Sequence, residues 1–115
     1  MKLQVIGTKK CKETMKVVRF LKERRVDFQF VDLNQRKLSP GELDNIAERL
    51  GPEMMINKNS KQYKERGLEY MVFDPLKELA EDPRLLRTPV IRTEKRVLVG
   101  FDAESLESLI GGQDA

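Results

Sequence analysis

The chain carries one cysteine, Cys11, and no histidine. The cysteine stands in the run Leu3-Gln4-Val5-Ile6-Gly7-Thr8-Lys9-Lys10-Cys11-Lys12-Glu13-Thr14. A short apolar segment leads into a loop, and the loop ends where a helical pattern begins. Thiolate is the nucleophilic form of cysteine, and both a helix N-terminus and nearby cations lower the pKa of a thiol. Lys9, Lys10 and Lys12 supply the cations. Thr14 stands three residues on, where its hydroxyl either donates to a Cys11 thiolate or satisfies a first-turn backbone group. A small buried thiol without chemistry fits the same local context.

The rest of the composition narrows what such a thiol can do. Without histidine there is no Cys-His pair, no usual general base and no imidazole ligand. With one cysteine, no zinc or iron–sulfur site held by a single chain is expected, and no metal cofactor. No disulfide can close within the chain, which fits a reducing compartment and a cytoplasmic location. Lys and Arg number 22 against 19 Asp and Glu, for a net charge of +3, and the two signs are mixed along the chain. No aromatic residues interleave the basic ones, so direct nucleic-acid binding is not expected. No signal-type apolar region and no membrane-spanning stretch is present, so no membrane association is expected.

At 115 residues the chain is long enough for one domain with a real core. Leu3 to Gly7 reads as a buried strand, Lys12 to Arg25 as a helix, and Phe28 to Leu33 as a second strand. Strand, helix, strand at this spacing is a βαβ unit with parallel strands and a right-handed crossover. Ser39-Pro40-Gly41-Glu42 carries a capping box and a proline at the first helical position. Leu43, Ile46, Ala47 and Leu50 form the face of that helix, and Gly51-Pro52 stops it. Glu53 to Asn59 is a turn or a short helix, and Ser60 to Arg66 a further helix closed by Gly67. Asp74-Pro75 opens another helix, which Asp82-Pro83 ends or restarts. Pro89 to Thr93 and Arg96 to Phe101 read as strands, joined by Glu94-Lys95, which lacks the glycine that two-residue turns favour. Asp102 caps a last helix, and residues 111–115 read as a frayed tail. The clusters Met54-Met55-Ile56 and Tyr63, Tyr70 and Phe73 read as packing residues of the middle segment.

The order β-α-β, several helices, β-β-α is that of a thioredoxin-like fold, an α/β class with a mixed four-stranded sheet and an inserted helical subdomain. The expected core is 1–33 with 84–110, and the insertion 34–83. In this layout the loop before the first helix faces the loop before the third strand. Cys11 therefore meets Arg87-Thr88-Pro89. A proline at that entry is expected to be cis, so that Thr88 presents backbone groups to the thiol and to an extended ligand such as glutathione. Arg87 offers a guanidinium to an oxyanion or carboxylate. The plainer alternatives are a proline that starts an edge strand and an arginine that is merely on the surface.

The block from Pro83 through Leu85-Leu86-Arg87-Thr88-Pro89 to Ile91, with Glu94-Lys95-Arg96 and Val99-Gly100, resembles the ArsC/Spx family. The strand-loop-Cys11-helix start and the Asn57-Lys58-Asn59-Ser60 to Tyr63 segment agree with it. The resemblance implies a thioredoxin-like core with an inserted helical subdomain. The family's branches include glutathione- or glutaredoxin-dependent arsenate reductases, glutathione-linked proteins of unassigned substrate, and regulators that bind RNA polymerase. The departures are informative. Arsenate reductases of the family keep Cys-Gly-Thr-Ser-Arg at the nucleophile, and this chain has Cys11-Lys12-Glu13-Thr14-Met15. Their three arsenate-holding arginines align with Asn57, Thr88 and Phe101. The regulators' Cys-x-x-Cys becomes Cys11 with Thr14. The resemblance thus implies a monothiol oxidoreductase with Cys11 as nucleophile and Lys10, Thr14, Arg87, Thr88 and Pro89 around the substrate thiol. Glutathione or glutaredoxin would complete the cycle. The alternatives are a non-enzymatic regulator that binds RNA polymerase and a scaffold whose cysteine is vestigial.

Overall fold

The structure is a computed structural model and describes residues 2–111. The described chain divides into two compact units. One comprises the chain up to Asn34 and from Thr88 onward; the other is Gln35–Arg87.

The first unit holds a four-stranded sheet of order β2-β1-β3-β4. β1 (Gln4–Gly7) pairs in parallel with β2 (Gln29–Asp32), Val5 opposite Phe30. It pairs antiparallel with β3 (Val90–Arg92), Val5 opposite Ile91, and β3 pairs antiparallel with β4 (Val97–Val99). This is the mixed sheet of a thioredoxin-like α/β fold. Helix α1 (Lys12–Glu23) buries Thr14, Val17, Val18, Phe20 and Leu21. The four apolar ones join Leu3, Val5 and Ile91 from the sheet and Leu106 and Leu109 from α5 (Ala103–Gly111) in one apolar cluster. Burying a side chain of this size contributes about 1.5–3 kcal/mol. α1 ends at Glu23; two residues on, Arg25 has a left-handed φ of 56°, and the Val26 N–H closes back on the Leu21 carbonyl. Asp102 caps α5 by accepting from the Glu104 N–H. α5 runs through Gly111, one residue into the expected frayed tail, and the rest of that tail lies outside the described residues.

The β3–β4 turn is held by Thr93. Its Oγ1 accepts from the N–H groups of Lys95 and Arg96, and its own N–H donates to the Arg96 carbonyl. A buried side-chain acceptor thus replaces the turn glycine that Glu94-Lys95 lacks.

In the second unit, α2 (Pro40–Leu50) starts with the expected capping box. Ser39 Oγ accepts from the Glu42 N–H at 3.1 Å, and Glu42 Oε1 accepts from the Ser39 N–H at 2.9 Å. Gly51, with φ of 92°, ends the helix. Residues Pro52–Met55 form a 3-10 turn, followed by α3 (Lys61–Glu65) capped by Ser60, and α4 (Pro75–Glu81) capped by Asp74. Gly67 takes the left-handed conformation between α3 and the turn Leu68–Tyr70. Arg87 donates its N–H to the Met55 carbonyl, and the Asn57 N–H bonds the Leu85 carbonyl. These bonds flank an antiparallel bridge between Ile56 and Leu86. Residues 84–87 therefore pair within the second unit, whereas the sequence reading returned to the core at 84. Two of the expected packing residues are corrected as well. Met55, Ile56 and Tyr63 are buried, but Met54 is 48% exposed and Tyr70 86% exposed. Both sit on 3-10 turns, where three residues complete a turn and one, Met55 or Leu68, takes the buried side.

Candidate active site

Cys11 is the N-cap residue of α1, with extended backbone (φ −78°, ψ 115°). Two backbone bonds fix it there. Its N–H donates to the Thr8 carbonyl at 3.2 Å, closing the loop from β1, and its carbonyl accepts from the Met15 N–H at 3.1 Å as the first helical bond. The sulfur is half-buried. The Thr88 hydroxyl donates to Sγ at 3.2 Å, and Sγ lies 3.8 Å from the Thr88 carbonyl, to which the thiol donates. The Thr88-Pro89 peptide bond is cis, and the Pro89 carbonyl accepts from the Gly100 N–H at 2.8 Å. The facing-loop contact expected from the topology is therefore present, between residues 77 apart in the chain.

The electrostatics of the sulfur follow from these partners. Burial alone pushes the Cys11 thiol up. The hydroxyls of Thr14 and Thr88 and the backbone N–H groups of Thr14 and Glu13 outweigh it, so the thiol lies below the ordinary cysteine value. After burial, the causes that lower it are all hydrogen bonds; the lysine charges that the sequence offers beside the helix N-terminus are not among them. Lys9, Lys10 and Lys12 are all exposed.

Thr14 is fully buried, and among the described residues its Oγ1 has no partner at full hydrogen-bond geometry. It nevertheless acts on the sulfur. The two facts are compatible. A neutral thiol is a weak acceptor that aligns no donor strongly, whereas a thiolate is a strong one toward which a hydroxyl proton turns. The same holds for the helix amides. Cys11 makes no side-chain cap bond as a thiol, but the Glu13 and Thr14 N–H groups stand where an N-cap acceptor is expected. Ionisation gives the start of α1 its cap.

The structure thus brings together Cys11, Thr14, Thr88 and Pro89. Arg87 lies in the second unit, held by its backbone to Met55. Gly7, read only as a strand residue from the sequence, abuts Thr14. A glycine at the end of an apolar strand, directly before the Cys11 loop, was the available signal. The three positions aligned with arsenate-holding arginines have other work. Thr88 serves the sulfur, Phe101 packs edge-on against Phe20 at 6.0 Å between ring centroids, and Asn57 Oδ1 accepts from the Asn59 N–H at 3.0 Å. Among the described residues there is no group of three or more His, Cys, Asp or Glu side chains that would hold a metal, and no helix long and apolar enough to cross a membrane.

The model of the ArsC family matches residues 6–109. The chain belongs to the ArsC family. It is 29% identical over 105 residues to the global transcriptional regulator Spx of Streptococcus pyogenes serotype M1, covering 87% of this chain and 78% of that protein. Among solved structures it is similar to a Bacteroides fragilis protein described as related to the ArsC family, with TM-score 0.83 and 25% identity over 95% of this chain and 98% of that one. It also resembles the arsenate reductase of Vibrio cholerae in fold, with TM-score 0.81 and 21% identity over 93% of this chain and 97% of that one.

Proposed function

We propose that this ArsC-family chain is a monothiol oxidoreductase that exchanges disulfides through Cys11 with glutathione as co-substrate. The observation that carries this reading is the sulfur itself: half-exposed, bonded by the Thr88 hydroxyl at 3.2 Å and lowered below the ordinary thiol value. The Cys11 thiolate attacks the glutathione sulfur of a mixed disulfide. The new S–S bond joins Cys11 to glutathione, the old one breaks, and the released substrate thiolate takes a proton. A second glutathione thiolate then attacks that adduct, leaving oxidised glutathione and free Cys11. No second cysteine is present to resolve the adduct within the chain, so the external thiol, free or delivered by a glutaredoxin, is required. Thr88, beside the cis bond, offers its backbone groups to the extended tripeptide. Lys10 and Arg87 are the cations nearest in sequence to the two loops, for the glutathione carboxylates.

The test is incubation with oxidised glutathione followed by intact-mass measurement and a glutathione-dependent turnover assay. One glutathione per chain, absent in Cys11→Ser, and turnover of a glutathione mixed disulfide are expected. A chain that takes up no glutathione, or whose turnover survives Cys11→Ser, sinks the reading.

The similarity to the Streptococcus pyogenes Spx regulator favours a second reading, a module that binds RNA polymerase. Thr14 in place of a second cysteine removes an internal disulfide switch from it. Binding to purified RNA polymerase, unchanged by Cys11→Ala and without glutathione turnover, would favour that reading over the first.

A further inference from the structure

Two residues beside Cys11 are costly choices for structure alone. Gly7 is the last residue of β1, paired opposite Asp32, and its carbonyl accepts from the Leu33 N–H at 3.0 Å. Its φ is not in the left-handed region, unlike those of Gly51, Gly67 and Gly100. The backbone there accepts any residue, so the conformational freedom of glycine is not what this paired position uses. What needs the glycine is Thr14. A Cβ at position 7 would stand 2.4 Å from Thr14 Oγ1, 2.7 Å from its Cγ2 and 3.1 Å from its Cβ. Thr14 itself is fully buried with an unpartnered hydroxyl, and an unpartnered buried hydroxyl is unfavourable where an apolar side chain of the same shape would fit. The pair makes sense if the hydroxyl has a partner in another state of the site. That partner is the Cys11 thiolate, which the Thr14 hydroxyl stabilises.

We infer that Gly7 is a positioning residue for the Cys11 thiol: its missing side chain makes the space that lets Thr14 hold its hydroxyl against the ionised sulfur. The inference rests on Cys11 being a nucleophile, not on the identity of its substrate. Gly7 touches no reacting atom and acts only through Thr14.

The experiment measures the alkylation rate of Cys11 with iodoacetamide across pH in Gly7→Ala, Thr14→Ala and the double variant, with folding checked by circular dichroism. Each single variant is expected to react about threefold more slowly at neutral pH and to converge with wild type at high pH. At fixed neutral pH a less acidic thiol loses thiolate tenfold for each unit its pKa rises but regains part of the rate as intrinsic nucleophilicity. The double variant is expected to be no slower than Thr14→Ala alone, because Gly7 works through that hydroxyl and alanine removes the two atoms nearest position 7. A folded Gly7→Ala that alkylates like wild type overturns the inference, as does a double variant showing two independent losses. Should Gly7→Ala not fold, Gly7→Ala/Thr14→Ala removes the two closest contacts. Recovery of folding, with the rate of Thr14→Ala alone, supports the inference. Failure of that double variant to fold, with only the 3.1 Å contact to the Cβ of residue 14 left, shows that the Thr14 hydroxyl and methyl are not what needs the glycine, and overturns it. Glutathione turnover is a separate readout. Its absence in wild type alongside the expected alkylation pattern would fail the proposed substrate and leave the Gly7–Thr14 relation standing.

Discussion

A thiol becomes a useful nucleophile when its ionised form has donors that its neutral form does not need. Cys11 has two kinds. The amides at the start of α1 are orphan donors by helix geometry, and the hydroxyls of Thr14 and Thr88 are supplied by sequence. The Thr88 hydroxyl is the one seen at full bonding distance, 3.2 Å from Sγ. Thr88→Val keeps the branched shape and removes the donor. Its alkylation at neutral pH is expected to fall about threefold, with the loss vanishing at high pH. Thr88→Ser, which keeps the hydroxyl, should stay near wild type. A Thr88→Val profile that overlays wild type at every pH would show that the hydroxyl does not tune the sulfur.

Elements were legible where local chemistry is strong. The βαβ start, the capping box at Ser39 and the glycine stops at Gly51 and Gly67 follow from spacing and residue type alone. The Cys11–Thr88 contact was legible only through topology, because nothing local links residues so far apart. Other features escaped for physical reasons. The Thr93 turn uses a buried side chain where a glycine was looked for, and Tyr70 faces outward because a 3-10 turn gives it no apolar face to join. Gly7 reads as an ordinary strand residue until Thr14 is seen against it. The capping box also sets a pH dependence. Glu42 accepts from the Ser39 N–H and from Arg36 at 2.9 Å, and the Arg36 hydrogen bond first of all holds its carboxyl at about 2, below the ordinary 4.5. A folded-state pKa below the unfolded one gives stability that is full above about pH 4.5 and lost as pH falls toward 2. Arg36 is 45% exposed, so solvent screening reduces the contribution to about 1–2 kcal/mol. Chemical denaturation at pH 7 and pH 3 should show that loss in wild type and a flatter dependence in Glu42→Gln. An equal loss in both would place the acid sensitivity elsewhere.

At the scale of the whole molecule, fold and chemistry part company. The thioredoxin-like fold is shared with the Vibrio cholerae arsenate reductase at 21% identity, a level at which architecture persists while sites diverge. Holding a tetrahedral oxyanion beside a thiolate needs fixed positive charge, since two negative groups must approach. This chain has Asn57, Thr88 and Phe101 at the positions the family resemblance assigns to that charge, and each is committed to a contact of its own. Phe101→Arg would break a ring pair worth about 0.5–1.5 kcal/mol beyond its buried area. Thr88→Arg would remove the donor to the sulfur. Arginine at all three positions is therefore expected to weaken the fold and slow Cys11 rather than create a reductase. With arsenate, glutathione and a glutaredoxin, wild type should form no arsenite above the Cys11→Ser background, while still turning over a glutathione mixed disulfide. Ion chromatography of the products checks both. A disulfide leaving group carries its charge away on a thiolate that protonates, so it asks the site for no arginine clamp. Arsenite above background would mean that positive charge reaches the sulfur from residues other than these three.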